Sequence, residues 1–183
     1  MGLFNILFSN TKGKQSDKKN LSDVEIENSY FGNGILIKDS SSEPPCYTDI
    51  KSGFDGIDSF GKKNDTAYDL YEFIVREDNI DYVFTSLEKI YKKSDQIMEE
   101  CCNEIYNEIT KFFEDGKSLK SEFNLDYFKG NWYVYGVAIY DDHVEFSIGI
   151  NAAENPEEDS YYNIIINVEY ETQEAEVSFN IVW

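Results

Sequence analysis

Residue types that carry chemistry are scarce in this chain. Its 183 residues include one histidine, His143, three cysteines and two tryptophans. A lone histidine is a poor start for zinc, which takes three or four nitrogen, sulfur or carboxylate ligands. Cys46, Cys101 and Cys102 form no CxxC spacing, and two of them are adjacent. An odd count with adjacent members is no disulfide framework, so a reducing cytoplasm is expected. There is no glycine loop of the P-loop type and no GxSxG nucleophile elbow. No apolar run is long enough to span a bilayer. On these shortages the expectation is a protein that is not an enzyme and takes no cofactor or metal.

Cations are the other shortage. Lys and Arg total 16 against 36 Asp and Glu, a net charge of −20. Direct binding to nucleic acid needs a cationic footprint and is not expected. After Lys129 no Lys or Arg occurs, yet the same stretch holds Asp141, Asp142, Glu145, Glu154, Glu157, Glu158, Asp159, Glu169, Glu171, Glu174 and Glu176. Solubility alone is one use of such charge. Protection of a sheet edge is another, although lysine serves that purpose as well. A one-signed surface also steers a basic macromolecule toward it.

What the chain has in quantity is aromatic: 14 Tyr and 13 Phe, in a composition that is 41% hydrophobic. A chain of this length has room for one real core. Residues 1–23 are expected to be a mobile or weakly docked N-terminal segment, and residues 24–183 one domain. Leu3, Phe4, Leu7 and Phe8 precede lysines 12, 14, 18 and 19. That order is wrong for a signal peptide, whose charge comes first. Membrane contact through residues 1–20 is a lesser alternative to docking on the chain's own domain.

Periodicity separates the rest. "SYFGNGILIKD" (29–39) predicts a strand with Gly32 and Gly34 at a bulge or close approach. "CYTDIKSGF" predicts a second. Residues 66–78 fit neither period cleanly and are assigned to a strand on their β-branched and aromatic content. From Ile80 to Phe113 apolar residues recur at spacings of three and four, which predicts two helices or one kinked helix near Ser94 and Asp95, stopping at Gly116. Beyond Asn131 every segment alternates: "WYVYGVAIY" and "VEFSIGI" around a DDH turn, then "YYNIIINVEY" and "AEVSFNIVW" around "ETQE". In the last pair Tyr162, Ile164, Ile166 and Val168 share a face, as do Val177, Phe179, Ile181 and Trp183. The expected class is α+β, an antiparallel sheet with the helices packed on one face.

Asp141, Asp142 and His143 are expected to be hairpin punctuation, because three consecutive residues at a reversal seldom aim at one point. "ENPEEDS" (154–160) lacks the spaced oxygen ligands of a calcium loop and is expected to be solvated. Cys101 lies on the apolar stripe and is expected to behave as a small hydrophobe.

"YFGNGILI", "NIDYVFTSLEKIYKKSDQIMEECCNEI" and "VYGVAIYDDHVEFSIGI" give the chain, over residues 28–183, an arrangement that resembles uncharacterised bacterial domains of unknown function. That resemblance implies an α+β protein and a small cytoplasmic partner of the toxin–immunity type. It supplies no active-site residues.

The expected function is therefore a non-enzymatic, acidic inhibitor or immunity-type protein. It would cover a basic surface of a partner such as a nuclease toxin or a nucleic-acid-binding enzyme. The expected contacts are Glu157, Glu158, Asp159, Glu169, Glu171, Glu174 and Glu176, with Tyr161 and Tyr162 as aromatic anchors. The alternatives are a phage-type DNA mimic and a small hydrolase or metal-binding protein.

Overall fold

The coordinates are a computed structural model, and they describe residues 20–54, 56–57, 60, 69–114 and 118–181. The N-terminal foot up to residue 19, the expected helix stop at Gly116 and Trp183 lie outside the described residues. The fold is α+β, with nine strands in two sheets and three α-helices among the described residues.

The first sheet is antiparallel. β1 (Leu21–Ile26) pairs with β2 (Gly34–Asp39), and β2 with β3 (Cys46–Gly53). β1 starts at Leu21, inside residues 1–23, which were expected to be mobile or weakly docked. Its alternating Val24 and Ile26 pack half-buried on the core, which a composition-based boundary does not register. Glycine sets the geometry where β2 and β3 meet. Gly53 has φ +83°, and a Cβ there would stand 2.2 Å from the Asn33 carbonyl oxygen. The Phe54 ring lies flat on Gly34, 2.3 Å from where a Cβ would be, so Gly34 is the close approach its position suggested.

Residues 69–78, the described part of the run 66–78, are the pivot of the topology. They form β4 (Asp69–Phe73) and β5 (Val75–Arg76), separated by Ile74. β5 pairs antiparallel with β3 and closes the first sheet in the order β1-β2-β3-β5. β4 runs parallel to β6 in a second, five-stranded sheet, β4-β6-β7-β8-β9. The expected single antiparallel sheet is thus corrected to two, one of them mixed. The helical segment between β4 and β6 permits this, because parallel neighbours need a long crossover connection, most often helical.

That segment begins with a single 3-10 turn (Glu77–Asn79), then α1 (Ile80–Lys92) and α2 (Ser94–Glu114). The break falls at Lys93, whose N–H bonds back to the Ile90 carbonyl. Val83, Leu87 and Ile90 line α1, and Ile97, Cys101, Ile105 and Ile109 line α2; all are buried. A third helix, α3 (Leu125–Asn131), was not anticipated. Asn124 caps it by accepting from the Tyr127 N–H at 2.9 Å.

β6 (Tyr133–Ile139), β7 (His143–Gly149), β8 (Tyr162–Glu169) and β9 (Ala175–Ile181) form the antiparallel meander. Their register is regular except for one irregularity between Val134 and Gly136. Val144, Phe146 and Ile148 on β7, and Ile164, Ile166 and Val168 on β8, are buried, as period two requires. Phe146 stacks on Phe60 at 3.7 Å and meets the Tyr91 ring edge-on, which brings α1 onto this face. Phe112 of α2 touches both Tyr162 and Phe179. The same cluster takes in Phe31, Leu36, Tyr47 and Phe54, so both sheets share one core.

Candidate functional site

The helices occupy one face of the five-stranded sheet, and the opposite face is polar and half exposed. His143, Glu145, Ser147 and Gly149 of β7 alternate with its buried residues, and Asn163, Ile165 and Asn167 of β8 do the same, ending at exposed Glu169. On β9 the outward residues Glu176, Ser178 and Asn180 are exposed.

Strand register aligns some of these acids across the sheet. Glu72 pairs with Ala138, Ala138 with Glu145, Glu145 with Asn167 and Asn167 with Glu176. Neighbouring strands are about 4.8 Å apart, so successive acids of that row are roughly 10 Å apart. In the next row His143 pairs with Glu169, whose N–H bonds the Glu174 carbonyl. Among the described residues no salt bridge reaches Glu157, Glu158, Glu169, Glu171, Glu174 or Glu176.

The nine residues expected to meet a partner do not form one patch. Glu157, Glu158, Asp159 and Tyr161 belong to a 3-10 turn (Pro156–Tyr161) that leads into β8, and Tyr162 is the first residue of that strand. Glu169 ends β8, Glu171 and Glu174 lie in the following turn, and Glu176 is on β9. Tyr162 and Glu169 stand at opposite ends of β8, a strand of eight residues, roughly 23 Å apart. Tyr162 is corrected from a partner anchor to a core residue. It is 8% exposed, and its hydroxyl donates to Asp159 and to the Ile150 carbonyl. Burial and the neighbouring carboxylate push its phenol well above the usual tyrosine range. Asp159 is also partly occupied, since its Oδ1 accepts from the Ala152 and Ala153 N–H groups.

The Asp–Asp–His turn is hairpin punctuation, with His143 opening β7, but Asp141 also ties the two sheets together. It accepts from the Arg76 N–H at 2.9 Å, from the Arg76 guanidinium at 2.7 Å and from the Asn79 amide. Burial pushes the Asp141 carboxyl up, but these donors outweigh it and hold it below the usual aspartate range. His143 stacks on Tyr140 and bonds Asp142 at 2.6 Å. Tyr140 donates to Glu72, and burial together with that bond raises its phenol. Cys101 is buried, and desolvation pushes its thiol up to about 11, so it carries no thiolate chemistry near neutral pH. Among the described residues no group of three or more His, Cys, Asp or Glu side chains is placed to hold a metal ion. No helix among them is long and apolar enough to cross a membrane.

Two groups of surface residues escaped the sequence reading. Glu145 was legible from the alternation of "HVEFSIG", whereas Glu72 joins the acidic row only through the parallel β4–β6 pairing. At the other end, Tyr133, Tyr135, Gly149 and Asn163 meet Asp159 in a cleft of about 370 Å³. Comparison with protein-family models, with curated proteins and with solved structures finds no match to this chain.

Proposed function

We propose that this chain is a non-enzymatic binding protein whose five-stranded sheet covers a basic surface of a partner protein, in the manner of an inhibitor or immunity protein. The supporting observation is the uncompensated charge of the outward sheet face and its two ends. No lysine or arginine follows Lys129 in the chain. The acids at 157, 158, 169, 171, 174 and 176 have no salt-bridge partner among the described residues, and Lys93, which reaches the same turn, bonds the neutral Gln173. A field of one sign in the open speeds and orients encounter with the opposite sign, and salt screens it. A nuclease groove is a fitting target, because it is basic in order to hold phosphates. The three free thiols Cys46, Cys101 and Cys102 suit a reducing cytoplasm.

The test is capture from an extract of the source cells, with the native chain and a Glu169, Glu171, Glu174 and Glu176→Gln variant run in parallel. The expected result is a basic protein retained at 50 mM salt, released by about 500 mM, and retained at least tenfold less by the variant. Capture that ignores both salt and the four substitutions would sink the proposal. Release of the captured protein by duplex DNA would show that its nucleic-acid groove is the surface covered.

A further inference from the structure

We infer that the cleft at the start of β8 is a pocket for a single cationic side chain, a guanidinium or an ammonium group, presented by the basic partner. The inference rests on the function proposed above and names the chemistry of its anchor. The cleft measures about 370 Å³, the lower end of the range for ligand sites, which suits one side chain and not a folded surface.

Its walls are aromatic and its fixed charge is negative. Tyr133 and Tyr135 stand on the outward side of β6, ring centroids 6.4 Å apart and inclined at 59°. Tyr133 lies directly over Gly149, where a Cβ would come within 2.5 Å of the ring. Only bare backbone lets the ring lie that low. Tyr135 donates to the Asn163 Oδ1 at 2.6 Å, which holds the second ring against β8.

Asp159 supplies the charge. Its Oδ1 takes donors from the Ala152 N–H at 3.2 Å, the Ala153 N–H at 3.0 Å and the Tyr162 hydroxyl at 2.8 Å. Three donors on one oxygen lock the carboxylate in place and leave Oδ2 without a partner among the described residues. A held carboxylate beside two tyrosine rings is complementary to a cation, which gains from the ring faces and the charge together. An anion would find no lysine or arginine among the residues lining the cleft; Lys120 lies outside that lining, its N–H bonded to the Ala152 carbonyl. Glu157 and Glu158, on the same 3-10 turn as Asp159, add to the attraction. The distant acids at 169–176 steer, and this cleft grips.

The probes are N-acetyl-arginine amide and N-acetyl-lysine amide, titrated into the full chain and followed by amide chemical shifts. Citrulline in the same capped form is the neutral control, and glucose tests for a sugar site. The expected result is saturable shifts at Tyr133, Tyr135, Gly149 and Asn163 with the cations, and at least tenfold weaker binding of the citrulline compound. Gly149→Ala lifts the Tyr133 ring and is expected to weaken the arginine probe at least fivefold. Tyr133→Leu, which keeps bulk without the aromatic face, is expected to do the same and serves if Gly149→Ala does not fold. Equal response to citrulline, preference for glucose, shifts spread over both acidic ends, or indifference to both variants would each overturn the pocket. If the pocket fails while salt-sensitive capture persists, the proposed function survives without this anchor. If the probe binds but no basic protein is captured, the pocket stands and the partner reading falls.

Discussion

The two sheets share one core but handle charge in opposite ways. In the four-stranded sheet each cation sits beside an acid: Lys51 with Asp23, Lys38 with Glu77 of the following 3-10 turn, and Arg76 with Asp141 of the β6–β7 turn in the other sheet. In the five-stranded sheet the antiparallel strands β6–β9 contain no lysine or arginine. Within these strands the one residue that can carry positive charge is His143, flanked by Asp142 and Glu145, and the cations that reach their turns come from other elements, Lys93 at Gln173 and Arg76 at Asp141. The sheets also differ in regularity. β2 and β3 slip register twice and depend on glycine where the start of β2 meets the end of β3, whereas β7, β8 and β9 pair without interruption. A neutralised sheet closes its field on itself. An uncompensated one must spend some stability on self-repulsion, and it projects its field outward.

The largest expected effect tests which sheet contributes more to the shared core. Phe146→Ala removes a fully buried ring that stacks on Phe60 and touches Tyr91, and should cost about 3–5 kcal/mol. Val24→Ala, on half-buried β1, should cost about 1 kcal/mol. Urea unfolding measures both, and equal losses would erase the contrast. Next is the glycine-set geometry of the smaller sheet. Gly53→Ala combines a left-handed backbone with a clash against Asn33 and should cost about 2–3 kcal/mol. Gly32→Ala has a similar φ of +85° with open space around it, and should cost about 1 kcal/mol in the same assay. The smallest effect bears on charge itself. Glu176→Lys should stabilise by about 0.5 kcal/mol by easing repulsion from the surrounding acids of the sheet, while Lys51→Glu should destabilise by a similar amount. Thermal melts at low and high salt measure the pair, and the difference should shrink as salt rises. The same sign for both substitutions would mean that the two sheets do not differ in compensation.

Local pattern made much of this molecule legible. The alternation of Tyr162, Ile164, Ile166 and Val168 named the buried face of β8, because a strand turns each successive side chain to the opposite side. The spacing from Ile80 to Phe113 named the buried stripe of α1 and α2 in the same way. The short helix α3 was missed because seven residues hold too few turns for a periodic signal; its only clue was Asn124 as a cap. Tyr162 was placed both on the buried face of β8 and among the partner anchors; the second placement fails because Phe112, Phe179 and Asp159 close around it.

Charge balance, the shortage of catalytic residue types and the period of each strand and helix belong to the chain alone, since each depends only on near neighbours in sequence. The split of residues 69–76 between two sheets, the parallel pairing that sets Glu72 in the acidic row, and the meeting of Tyr133, Gly149 and Asp159 were decided by the tertiary structure. Each needs strands distant along the chain to lie side by side, and a local pattern of residues carries no record of which distant strand becomes the neighbour.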